Sequence, residues 1–163
     1  MTGAEGCRLC RLPSEDKQSV DILVTDLWHV YAPWDITRGA FIVQTRRHVE
    51  GLWLLDGDET ETLGVVLRDI SDDIREIYSA EKVYVISLGE SYPHFHLMLL
   101  PRAANIPADG RGLVLLKSYL QSTNEAASDR SLVHRVAALT LARASSNGAS
   151  APMPLAHETV SQG

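Results

Sequence analysis

The sequence predicts an α+β fold, an antiparallel five-stranded sheet packed with helices. Three observations carry this expectation. Short runs of branched and aromatic residues recur between turn residues through the N-terminal part of the chain. One longer segment, 58–80, repeats its apolar residues at helical period. Most connections between the short runs are too brief for the crossovers that parallel strands need.

The elements follow in order. Residues 1–18 are polar apart from the stretch from Cys7 to Leu12. Residues 20–25 and 28–32 read as two strands joined by a hairpin turn at Asp26-Leu27. Pro33 and Gly39 punctuate the next loop, and a third strand runs over 40–44 into Thr45-Arg46-Arg47-His48. The helix over 58–80 opens with Asp58-Glu59-Thr60-Glu61, an Asp-x-x-Glu pattern that suits a capping box. Leu63, Leu67, Ile70, Ile74 and Ile77 form its apolar stripe, while Asp69, Asp72, Asp73, Arg75 and Glu76 read as a solvated surface. Residues 82–87 make a fourth strand. The fifth, 93–102, is bounded by Pro93 and Pro101. Helices are expected over 113–120 and 130–144, the second with Asp129 as N-cap and Leu132, Val136 and Leu139 on one side. The reading is one domain over 1–144, with a helical extension from about 111 and a flexible tail over 145–163.

The totals restrict function. A chain of 163 residues can bury a real core as one domain. Its formal net charge of -6 opposes general binding to nucleic acid or to an anionic membrane, since the long-range field repels phosphate backbones. Local donors could still hold a small phosphate ligand. No apolar run approaches the roughly 18 residues that span a bilayer. The first six residues lack the basic and apolar regions of a signal peptide. Two cysteines so close in sequence fit a reduced cytoplasm better than a disulfide framework.

Candidate chemistry sits at the two ends of this core. Cys7 and Cys10 can be a redox pair, two ordinary thiols, or half of a zinc site if two more ligands exist. In the fifth strand His94, His96 and Met98 share one face, while Phe95, Leu97 and Leu99 share the core face. A His-x-His pair alone suits a solvated strand face. His29 reads as a structural histidine, satisfied or exposed, and His134 and His157 as bystanders. Cys7, Cys10, His48 and His94 together make a tetrahedral zinc ligand set. Their spacing is not that of a zinc finger. Such a site would clip the N-terminal arm to two strand ends, with no open coordination position, and would leave His96 free beside it.

These pieces, in this order, resemble the histidine-triad family of nucleotide hydrolases and transferases. The likeness spans Cys7 to Arg102. It rests on Cys7-x-x-Cys10, on Gly39 to Val43 followed by Arg46-Arg47-His48-Val49, on Gly89-Glu90-Ser91, and on His94-Phe95-His96-Leu97-Met98-Leu99-Leu100-Pro101-Arg102. The resemblance implies that His96 is a nucleophile attacking the α-phosphorus of a nucleoside phosphate derivative, through a nucleotidyl-histidine. It implies that His94 falls on the zinc-ligand position. Ser91, Glu90 and Met98 would line the phosphate, the partner would be a small-molecule nucleotide, and the assembly a homodimer. Three departures stand out. Met98 replaces the third histidine, Glu90 replaces a glutamine, and Ala40 replaces a histidine. A thioether donates no hydrogen bond, and a carboxylate repels phosphate unless protonated or paired. The other expectation is therefore a zinc-stabilised nucleotide-binding or interaction module with little catalysis.

Overall fold

The computed structural model describes residues 6–15, 19–33, 40–121 and 130–146. Helix α1 (Arg8–Glu15) leads into β1 (Val20–Val24), β2 (Trp28–Ala32) and β3 (Phe41–Thr45). A 3-10 turn (Leu52–Leu54) precedes the long helix α2 (Gly57–Tyr78). Strands β4 (Ala80–Ile86) and β5 (His96–Ala103) follow, then a 3-10 turn (Ala108–Gly110), α3 (Leu113–Gln121) and α4 (Arg130–Ser146). The five strands form one antiparallel sheet in the order β1-β2-β3-β5-β4. β5 thus inserts between β3 and β4, and α2 is the connection that carries the chain out to the far edge.

Alternation along the strands sorts the two faces. Trp28, Val30, Phe41, Val43, Phe95, Leu97 and Leu99 pack on one face against Ile70 and Ile74 of α2 and Val133 and Val136 of α4. Burying such side chains stabilises by roughly 1.5–3 kcal/mol each before entropy is counted. β2 and β3 are nonetheless buried at every position, so both faces of the sheet centre are covered. On the second face, Tyr31 and Gln44 hydrogen-bond each other, and Gln44 donates to the carbonyl of Leu9 in α1. Helix α1 therefore lies on that face. It was not expected from a short polar segment.

Four sequence expectations need correction. The capping box lies at Asp56 and Glu59, two residues before the expected pair. Asp56 adopts an extended backbone and accepts from the Glu59 N–H, and Glu59 accepts from the Asp56 N–H. Both pairs have the same spacing; Glu59 is chosen because Arg47, at the end of β3, also pairs with it, at 2.6 Å. Asp73 is not solvated. It is buried beneath α4, accepting from Thr140 and paired with Arg143 at 2.6 Å. The His strand begins at His96 rather than Pro93, so His94 lies in the bend before it. Helix α2 ends at Ser79, whose left-handed backbone (φ 49°) caps it. The buried face of α4 runs through Val133, Val136 and Thr140, one residue off the expected Leu132 and Leu139. Asp129, Gly39, His157 and the tail beyond Ser146 lie outside the described residues.

Candidate metal centre and adjoining pocket

Four of the expected site residues converge. The ligand atoms of Cys7, Cys10, His48 and His94 all lie within 4.8 Å of one another. His94 Nδ1 is 3.5 Å from Cys7 Sγ and 3.3 Å from Cys10 Sγ, and His48 Nδ1 is 3.4 Å from Cys10 Sγ. Zinc–sulfur and zinc–nitrogen bonds of usual length put tetrahedral ligands about 3.5 Å apart. The spacing therefore matches zinc.

Local structure explains how distant residues meet. The segment after β3 runs beside the bend before β5, where Phe95 N–H donates to the Val49 carbonyl and Thr45 N–H to the Phe95 carbonyl. That pairing sets His48 next to His94, with ring centroids 5.3 Å apart and planes nearly perpendicular. Arg47, tied to Glu59 and to the Leu54 carbonyl, fixes the backbone just before His48. Cys7, just before helix α1, and Cys10, within it, complete the set from the N-terminal segment.

The His94 ring is held in the ligating tautomer. Its Nε2 lies 2.7 Å from the Thr45 carbonyl, which can only accept, so Nε2 carries the proton and Nδ1 presents its lone pair to the sulfurs. Burial pushes the His94 pKa down, and the neighbouring His48 and His96 add to this against the Thr45 hydrogen bond. The neutral ligand form is thereby favoured. Burial and the adjacent Cys7 push the Cys10 thiol up to about 11. A dication between the sulfurs offsets that penalty, because thiolate is the ligating form. The four side chains are thus suited to a closed structural zinc site. Of the three readings of the cysteine pair, the half-site is the one the fold bears out.

Beside this centre lies a pocket of about 280 Å³. Its walls are Leu9 and Leu12 of α1, Tyr31 and Ile42 of the sheet, and the β4–β5 loop. His96, Met98, Glu90 and Ser91 all line it, so the remaining expected site residues share one cavity. Strand pairing aligns them: Gln44 faces His96, and Ile42 and Ile86 flank Met98. His96 Nδ1 sits 2.7 Å from the His94 carbonyl. The carbonyl accepts, so Nδ1 carries the proton and the neutral ring keeps its lone pair on Nε2. Ala40 is buried. His29 is a buried structural histidine, its Nε2 2.7 Å from Asp21 and its ring stacked on Tyr31, and His134 is exposed.

Sequence reasoning missed the α1 wall, Arg8, Leu9 and Leu12, and the Tyr31 and Ile42 floor. Alternation alone gives Tyr31 and Ile42 a face, but only the strand register puts them beside His96. The partner of His94, a backbone carbonyl, carries no side-chain signal.

No protein-family model and no curated protein matches the sequence. Solved structures do match the fold. A histidine triad nucleotide-binding protein from Sulfolobus tokodaii, described as hypothetical, superposes with a TM-score of 0.65 at 14% identity, covering 91% of this chain and 100% of its own. A zinc-bound histidine triad family protein from Mycobacterium smegmatis gives 0.62 at 17% identity, covering 88% and 99%. A HIT-like protein from Bartonella henselae, described as involved in cell-cycle regulation, gives 0.61 at 14% identity, covering 87% and 98%. The fold is that of histidine-triad proteins, as the motifs lead one to expect. No described helix is long and apolar enough to cross a membrane.

Proposed function

We propose that this chain is a zinc-stabilised nucleotide hydrolase or nucleotidyltransferase of the histidine-triad type, acting at the α-phosphate through His96. One observation carries the reading: the 2.7 Å bond from His96 Nδ1 to the His94 carbonyl, which leaves Nε2 as a nucleophile in a pocket of ligand size. Nε2 attacks the α-phosphorus, forming an N–P bond as the bond to the leaving group breaks with its electron pair. The ring gains positive charge, and the His94 carbonyl stabilises the Nδ1–H. Water, or an acceptor hydroxyl, then attacks phosphorus, and the N–P electron pair returns to Nε2. Ser91 and Glu90 on the β4–β5 loop, with Met98, flank the phosphoryl group; Ser91 supplies a hydroxyl donor. The zinc ligands, Cys7, Cys10, His48 and His94, hold the bend that carries this carbonyl, and the metal's role is structural. Free thiols at this site fit a reducing cytoplasm. The homodimer implied by the resemblance would use β4, an edge strand with Val85 and Leu88 exposed near it.

Incubating the zinc-loaded protein with nucleoside phosphoramidates, dinucleoside polyphosphates and nucleotide sugars tests this, with nucleotide release followed by chromatography. Release that depends on His96 is expected. Release unaltered by His96→Ala contradicts it. A second reading, a binding module with little turnover, is favoured by Met98 and Glu90 in the pocket wall: one donates nothing and the other repels phosphate. Tight nucleotide binding with no release from any substrate selects that reading.

A further inference from the structure

We propose that Arg8 is the phosphate-binding cation of the pocket, neutralising charge where Met98 supplies no donor. The proposal rests on the nucleotide reading above and assigns it a recognition residue.

Among the described residues lining the pocket, the charged ones are Arg8 and Glu90. The rest of the wall is largely apolar, which suits a base or sugar but leaves a phosphate dianion uncompensated. Glu90 has the wrong sign. Ser91 is neutral, and the Met98 thioether is at best a weak acceptor. Among the described residues of the lining, Arg8 is the one side chain that carries a fixed positive charge at any working pH.

Its backbone is anchored on both sides. Cys7, immediately before it, belongs to the ligand cluster. Leu9, immediately after it, is buried, and its carbonyl accepts from Gln44 at 3.0 Å. The helix start that holds Arg8 is therefore positioned by the metal centre and the sheet together. The side chain reaches across to the β4–β5 loop. Its Nη1 donates to the Tyr92 hydroxyl at 3.2 Å, and its guanidinium carbon lies 5.9 Å from the Tyr92 ring centroid. Tyr92 directly follows Ser91, so Arg8 already spans from α1 to the loop that carries the expected phosphate donor.

The Tyr92 contact is exposed and its acceptor is neutral. A phosphoryl group is a stronger acceptor than that hydroxyl: its bonds to guanidinium are charge-assisted, about twice as strong, and the planar fork can engage two oxygens at once. A ligand entering with its phosphate towards His96 would draw Arg8 from the tyrosine hydroxyl while the ring keeps the side chain over the pocket. The chemical class selected is a phosphorylated nucleoside over the nucleoside itself.

Isothermal titration of AMP, GMP, UMP and CMP, each against its nucleoside, tests the assignment on zinc-loaded wild type, Arg8→Gln and Arg8→Lys. Zinc content is measured on every sample, and Arg8→Met replaces the glutamine variant if that fails to hold metal. Arg8→Gln should weaken the monophosphate about tenfold while leaving its nucleoside within about twofold, and Arg8→Lys should recover part of the loss. An unchanged monophosphate affinity overturns the proposal. Equal weakening of monophosphate and nucleoside also overturns it, since that marks a wall residue and not an anion contact. Both of these leave the nucleotide reading standing. If no monophosphate binds wild type, the nucleotide reading itself falls, and the Arg8 assignment with it.

Discussion

Glu59→Ala should destabilise the protein by about 2–4 kcal/mol, and the structure shows why. The Glu59 side chain is 1% exposed. It accepts from the Asp56 N–H at 3.0 Å and from Arg47 at 3.2 and 2.6 Å. Losing the reciprocal cap costs about 1 kcal/mol. The pair with Arg47 adds only modestly, because that guanidinium is 48% exposed and water replaces part of the lost partner. The space left behind adds roughly 1 kcal/mol. In a chain of this size each kcal/mol moves Tm by about 2–4 °C, so a fall of about 4–16 °C is expected. Urea and thermal denaturation of the zinc-loaded protein measure it. Asp58→Ala is the control: Asp58 and Glu61 share the Asp-x-x-Glu spacing but lie exposed within the helix, so the change should stay within about 0.5 kcal/mol. Equal losses in the two variants, or a loss below about 0.5 kcal/mol for Glu59→Ala, would refute the capping argument. Zinc affinity should also weaken in Glu59→Ala, since Arg47 holds the backbone before His48.

Other expectations follow from the same geometry. Protein purified without added zinc should carry about one zinc per chain, and Cys10→Ser or acidification should release it, because the ligands bind deprotonated; metal analysis against pH checks this. Asp73 is held above the ordinary carboxylate range by burial, against the pull of Thr140 and Arg143. A raised carboxylate favours folding below its unfolded pKa and loses that contribution as pH rises through the folded value. Denaturation of Asp73→Asn should therefore show the stability difference moving in the variant's favour as pH rises from about 4, the ordinary carboxylate value. Met98→His places an imidazole donor beside His96 and should raise turnover of a nucleoside phosphoramidate about tenfold or more, read by nucleotide release. Unchanged turnover with zinc and affinity intact would mean that the missing donor does not limit the rate.

The parts of this molecule legible in the sequence are those that repeat. Alternation in β5 gave the two faces of the His strand, and the four-and-three spacing of Leu63, Leu67, Ile70, Ile74 and Ile77 gave α2. The metal ligands were legible because thiol and imidazole are scarce in this chain and few other roles compete for them. What stayed hidden depends on partners distant in sequence. Asp73 resembles its solvated neighbours until α4 covers it. The choice between two identical Asp-x-x-Glu spacings is made by Arg47, across a loop. Helix α1 has too few residues to form by propensity alone, and it exists because Leu9, Gln44 and the metal ligands hold it to the sheet. The pocket wall was hidden for the same reason.

The most direct test of the account is the intact mass of the zinc-loaded protein after brief mixing with the panel of nucleotide derivatives, followed by peptide mapping. Wild type should gain the mass of one nucleotidyl group, carried on the peptide that contains His96 and labile in acid as an N–P bond is. His96→Ala should keep its zinc and its Tm and gain nothing. A nucleotidyl group on any other residue, or an adduct that forms in His96→Ala at the wild-type rate, would contradict the assignment of His96 as nucleophile.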